Sequence, residues 1–228
     1  MATKIPPSTF DFLTQLQKNN NRDWFAKHKD RYEQELAQII HFADDLLERM
    51  NKHDHIENET GKKCLYRIYR DTRFSKDKTP YKNHWSGNLR RATKKLRGSY
   101  YFHLEPGNCF VGGGFWGPEP ADLKRIREEI AYDASEFHKI FNNKTFKTTF
   151  GKLKGEQIQT TPKGFDPKHP EIKLLRYKQF ILMRGFSDKE VMNANFVQEV
   201  NETFKRMRPF LNLMSEVLTS DVNGISLV

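Results

Sequence analysis

The densest concentration of chemistry in this 228-residue sequence is the run Arg67-Ile68-Tyr69-Arg70-Asp71-Thr72-Arg73-Phe74-Ser75-Lys76-Asp77-Lys78-Thr79-Pro80-Tyr81-Lys82. Extended as far as Arg73, it would present Arg67, Tyr69, Asp71 and Arg73 on one face, because alternate side chains of a strand share a side. Two guanidinium forks around one carboxylate suit an oxyanion held bidentately, with Asp71 fixing one arginine in place. Ser75 to Lys78 reads as a turn, and Pro80 biases Thr79 to extended geometry. Lys76, Lys78 and Lys82 would ring that turn, whose free N–H groups help to cradle an anion. The candidate ligand-binding set is therefore Arg67, Arg70, Asp71, Arg73, Lys76, Lys78, Tyr81 and Lys82.

Three residues are candidates for acid–base work: His103, Glu105 and Asp71. Neighbouring arginines favour the charged form of Asp71, which makes it a poor base but a good arginine-orienting partner or metal ligand. Asp77 is flanked by lysines in the same way. Histidine as a residue type exchanges protons near neutrality, which makes His103 the better candidate, and Glu105 would lie on the same strand face. Against this, a histidine on the exposed face of a strand is most often plain surface. His53-x-His55-x-Glu57 has ligand types but sits in a polar loop without fixed geometry, so no metal is expected. Nothing in the sequence names a cofactor. Gly112-Gly113-Gly114 is not a P-loop, because no Gly-Lys-Ser/Thr follows; it would let a ligand or a helix approach the backbone. Phe115 and Trp116 read as core, with a pocket wall or a base-stacking surface as the alternative.

Charge sharpens the picture. The chain carries 39 basic and 29 acidic residues, a net +10. Residues 62–97 hold 13 basic and 2 acidic residues, so this segment alone carries +11. A second basic block, residues 144–178, carries +6. Such concentration suits an acidic ligand or nucleic acid better than it suits mere solubility. Acids from elsewhere in the fold, such as Glu105 or Glu119, would instead make the arginines an internal ion-pair network. Aromatics at 13% exclude a disordered chain, and two cysteines exclude a disulfide scaffold. No apolar run approaches a membrane span, and the polar N-terminus has no secretory pattern, so a cytoplasmic protein is expected.

The positioning elements follow from periodicity. A short helix is expected from Ser8 or Thr9, broken by Asn19-Asn20-Asn21, with Asn21 capping a long helix from Arg22 to Met50. Residues 51–63 read as loop, Cys64 to Tyr69 as a strand, and 84–90 as another. Pro106-Gly107 predicts a hairpin between 99–105 and 109–111, with Phe102 and Leu104 inward and His103 and Glu105 opposite. Helices are expected over 119–131 and after an Asp133-x-x-Glu136 capping box. A small hairpin is expected near Lys154-Gly155, a short helix over 170–177 and a strand over 179–186. A Ser187-x-x-Glu190 box then leads to a final helix that Pro209 kinks or splits. The fold class is α+β: a central antiparallel sheet flanked by N-terminal and C-terminal helices, in one domain over residues 1–228.

Three strings together resemble a known family. They are Asn20-Asn21-Arg22-Asp23-Trp24-Phe25, the Arg67–Lys82 run, and Gly113-Gly114-Phe115-Trp116 with Pro118 and Glu119. The family is the uncharacterised bacterial and fungal one catalogued as domain of unknown function 2461, and the resemblance covers residues from about 10 to about 205. It implies no activity, cofactor or catalytic residue. The physical reading favours an anionic, for instance phosphorylated, ligand at 67–82. The alternatives are nucleic-acid binding and a non-catalytic interaction domain with an internal salt-bridge network.

Overall fold

Apolar steps of three and four produce helices at the start of the chain, although not with the expected boundaries. In the computed structural model, which describes residues 3–220 and 225–228, α1 runs over Pro7–Lys18 with proline in its first turn, where a missing N–H costs nothing. Asn19 ends it, and Asn21 caps α2 (Arg22–Lys27) by accepting from Trp24 N. The expected single helix to Met50 is divided. His28 leaves helical geometry at φ −115°, its ring stacks on Trp24 at 4.0 Å, and α3 (Lys29–Asn51) starts beyond it.

The expected strand at Cys64 is also corrected. Thr60 accepts from Lys63 N and caps a short α4, Gly61–Cys64. Gly61 permits this because a Cβ there would lie 2.5 Å from the Asp44 backbone nitrogen of α3. Beyond it the chain pairs only at isolated bridges, Leu65 with Gly87 and Tyr69 with Tyr81.

The sheet contains β1 (Trp85–Arg90), β2 (Ser99–Leu104), β3 (Cys109–Phe115) and, after α5 (Pro120–Tyr132), α6 (Ser135–Asn142), α7 (Lys144–Phe150) and α8 (Ile172–Leu175), β4 (Phe180–Phe186). Its strand order is β1-β2-β3-β4 and it is antiparallel. With α9 (Asp188–Val191) and α10 (Phe196–Thr219), helices stand at both ends of the chain around the strands, and the fold is α+β. The Pro106-Gly107 turn forms as expected: Asn108 N donates to Glu105 O and Gly107 has φ +77°. Gly112 to Gly114 lie in the second half of β3. A Cβ on Gly113 would lie 2.7 Å from Met207 Sδ of α10, and one on Gly114, at φ +132°, 2.1 Å from Phe180 O. The glycines thus admit a helix and a neighbouring strand.

The Ser187–Glu190 capping box is present, whereas Asp133 accepts from Ser135 N and leaves α6 without one. Lys154 and Gln157 bridge to Ile181 and Tyr177 rather than to each other's flanks, so the hairpin expected there does not form. Pro209 lies within an unsplit α10.

The chain divides into two compact units. The first comprises Met1–Leu89, Tyr101–Val111 and Gly185–Glu202; the second comprises Arg90–Tyr100, Gly112–Arg184 and Thr203–Val228. In the first, Phe42 packs edge-on to Phe102 at 5.3 Å and flat on Phe196 at 5.4 Å. In the second, Tyr100 meets Phe204 at 4.9 Å and Phe141 meets Phe210 at 5.9 Å.

Candidate functional site

The basic segment divides between the units. Arg91, in the second unit, is buried, and its guanidinium donates to Arg97 O, Ser215 Oγ and Asn212 Oδ1. Arg97 pairs with Asp122. This end of the +11 block is tied into the second unit by its own partners.

In the first unit, a double hydrogen bond positions the rest. Asn20 Nδ2 donates to Tyr81 O at 2.9 Å, and Tyr81 N donates to Asn20 Oδ1 at 3.1 Å. Phe25 stacks on the Tyr81 ring at 4.0 Å. Asn20, expected only as part of a helix junction, is thus a positioning residue of the motif. On the other side of Tyr81, Arg70 N donates to Pro80 O and Lys82 N to Ile68 O, which fixes Arg70 and Lys82 near each other at the base of the 71–79 loop.

The expected sharing of one face by Arg67, Tyr69, Asp71 and Arg73 fails, because strand pairing ends at Tyr69 and Arg73 lies in a turn. Asp71 instead pairs with Arg73, with its Oδ2 2.7 Å from Nη2, at the exposed surface. That pairing holds the Asp71 carboxyl below its ordinary range. Arg70 is the inward arginine. Its Nη1 donates to Asp77 and to Thr79, and its Nη2 faces Ser75 Oγ at 3.5 Å. The Thr79 backbone N–H, then Arg70, lower Asp77 to about 2. The acids that cover the motif are therefore its own, not Glu105 or Glu119. Arg67 and Lys76 are exposed and make no ion pair among the described residues. Lys78 Nζ donates to Thr72 O at 2.8 Å. Lys82 Nζ donates to Arg67 O at 2.9 Å and lies over Tyr66; burial, then Arg67, pushes its pKa down. Phe74 stands at the loop tip 96% exposed, with Arg73 over its ring.

Below the loop lies a cleft of about 440 Å³, lined by Arg70, Asp77, Thr79, Lys82, Asn83 and His84 together with Gln17, Asn20 and Tyr81. Asn83 donates to Glu105 Oε1 at 2.5 Å, and the His84 ring packs on His103 at 4.1 Å. Burial, then the neighbouring His103, lower the His84 pKa to about 4, so it is neutral at pH 7. No hydrogen bond engages its ring nitrogens among the described residues.

His103 is not the exposed strand residue expected. It is buried, with Nε2 3.0 Å from Glu105 Oε2 and Nδ1 3.0 Å from Tyr101 Oη. Glu105 also accepts from Asn108 at 2.8 Å. Burial pushes the Glu105 pKa up, but the hydrogen bonds from His103, Asn108 and Asn83 outweigh it and hold it below the ordinary value. His84 and Tyr101 were missed by sequence reasoning. Tyr101 had a signal, since it precedes His103 and Glu105 in the same two-residue alternation. Trp116, expected as core, is 69% exposed. His53 Nε2 pairs with Asn201 Oδ1 at 2.9 Å, and no three metal-ligating side chains converge among the described residues.

The motif fixed at both ends by this geometry also matches a family. The sequence model of the family described as conserved hypothetical protein (DUF2461) matches residues 8–212. The chain belongs to this family. No curated protein and no solved structure matches it. The family segment contains the whole first-unit site, from Asn20 through the cleft to Glu105. Among the described residues, no helix is long and apolar enough to cross a membrane.

Proposed function

We propose that this DUF2461 protein binds a small anionic, phosphorylated ligand in the first-unit cleft. The observation that carries the reading is that Arg70, Lys82, Asn83 and His84 line one concavity, each half-buried and held by a neighbour or a stacking ring. The cleft volume falls within the roughly 300–1,000 Å³ of small-molecule sites. Arg70 uses Nη1 on Asp77 and Thr79 and turns Nη2 to Ser75, which leaves its Nε–H for a ligand. Lys82, partly desolvated, gains from an arriving anion what burial removed. His84 adds a neutral ring that takes up a proton when a negative charge arrives.

Calorimetric titration with inorganic phosphate, phosphosugars and nucleotides tests this. Binding by the wild-type protein is expected to weaken by about tenfold or more in Lys82→Gln, as for loss of one charge-assisted hydrogen bond. Absence of binding across that panel, or equal binding by Lys82→Gln, overturns it.

A second reading is favoured by Phe74. A fully exposed ring beside Arg73, Lys76 and Lys78 suits stacking on a base of single-stranded nucleic acid. It predicts affinity that falls steeply with salt and drops with Phe74→Ala; affinity flat in salt rules it out.

A further inference from the structure

Tyr101, His103 and Glu105 occupy alternate positions along and just beyond β2, so their side chains share one face. We propose that they form a proton relay that makes the Tyr101 hydroxyl a catalytic group, with His103 and Glu105 as its positioning residues. The hydrogen bonds give the roles. An ionised carboxylate only accepts, so Glu105 fixes the proton of the neutral imidazole on Nε2. Nδ1 then carries a lone pair and accepts from Tyr101 Oη–H at 3.0 Å. This is the logic of a nucleophile, a base within hydrogen-bond reach and a third group that orients the base. The imidazole cannot turn away, because it stacks on Phe110 at 4.8 Å and on His84 at 4.1 Å.

Burial pushes the Tyr101 pKa up, so the group is a phenol at neutral pH and depends on the adjacent base. The titratable groups beside the relay are His84, Tyr66 and Cys109, with Lys82 over Tyr66 and Asp188 against Cys109. In the step, Tyr101 Oη takes the proton of a substrate hydroxyl while its own proton passes to His103 Nδ1. The imidazolium so formed lies against the Glu105 carboxylate, and the substrate is left as an alkoxide. Asn83 and His84, which line the cleft, touch Glu105 and His103, so the relay adjoins the cleft at its His103–Glu105 end although Tyr101 is not itself a lining residue, and the substrate class taken for the step is a small anionic hydroxy compound. That choice of substrate rests on the anion reading, whereas the relay rests on its own geometry.

An arylsulfonyl fluoride tests the relay without knowledge of the ligand. Tyr101 Oη forms a bond to sulfur, the S–F bond breaks, fluoride leaves and the phenolic proton goes to His103. Peptide mapping by mass spectrometry is expected to find Tyr101 labelled at least about tenfold faster than the exposed Tyr132, the low end for base assistance. In His103→Gln and Glu105→Gln the Tyr101 rate is expected to fall to that of Tyr132 or below, with the Tyr132 rate unchanged. The His103→Gln rate should rise only towards the high pKa of the phenol, whereas the wild-type rate should exceed it throughout the neutral range. Labelling of Tyr101 no faster than Tyr132 in the wild-type chain overturns the proposal, as does a rate that neither variant changes. The wild-type ratio is read within one folded protein, so it stands even if a variant unfolds. Absence of phosphate binding with labelling intact overturns the anion reading alone.

Discussion

The loop from Arg70 to Thr79 and the Tyr101–His103–Glu105 face of β2 each join acids to bases, but under opposite conditions. In the loop, Asp71 and Asp77 answer Arg73 and Arg70 within a few residues, and both carboxylates are exposed to solvent. Just beyond β2, Glu105 collects His103, Asn83 and Asn108 while only 21% of its side chain is exposed. Water screens the first arrangement and leaves its members replaceable. The second has little water to substitute for a lost partner, so each member constrains the others. Charge density in the sequence therefore marks the region that is energetically looser, and the quieter alternation Tyr-x-His-x-Glu marks the firmer one.

Substitutions can break this contrast. Glu105→Ala strands the buried His103 and two amides, and is expected to cost about 2 kcal/mol in denaturant unfolding. A cost like that of a surface site would remove the distinction. A smaller effect is expected from pH. His84 has a pKa of about 4 when folded against the ordinary 6.5, so the unfolded chain takes up its proton first. Its contribution to stability is complete above pH 6.5, declines as pH falls to about 4 and is constant below. His84→Gln should flatten the stability profile across that window relative to wild type. The smallest effect belongs to Asp71→Ala. It frees Arg73 at an exposed site and should move Tm by no more than about 2 °C. A larger fall would mean that the loop is a folded element in its own right.

Much of the fold was legible because its signals are local. The stripe of α3, the Pro106-Gly107 turn and the Ser187–Glu190 box each need only a few neighbouring residues. The failures share a cause: a distant partner claims the residue. Gly61 is small because α3 passes over it, and Gly155 because Gln179 O would lie 2.2 Å from a Cβ there. Neither fact is written near those glycines. At the site, the residue types of the basic run were visible, but strand alternation assigned the wrong arginines to one face. Pairing stops at Tyr69, so Arg70 turns inward and Arg67 and Arg73 face water. Asn83 and His84 enter the cleft only through their contacts with β2 and its turn, which no spacing rule reveals.

The grip of Asn20 on Tyr81 has one more consequence. The Tyr69–Tyr81 bridge uses the backbone groups of the flanking residues, so the N–H and C=O of Tyr81 itself point the other way, as on any unfinished strand edge. Such a pair of open groups is a template on which a second chain can add. The Asn20 side chain, an amide with one donor and one acceptor at peptide-like spacing, fills that position as a counterfeit strand one residue long. The most highly charged stretch of the molecule is thereby kept from recruiting a neighbour by main-chain pairing.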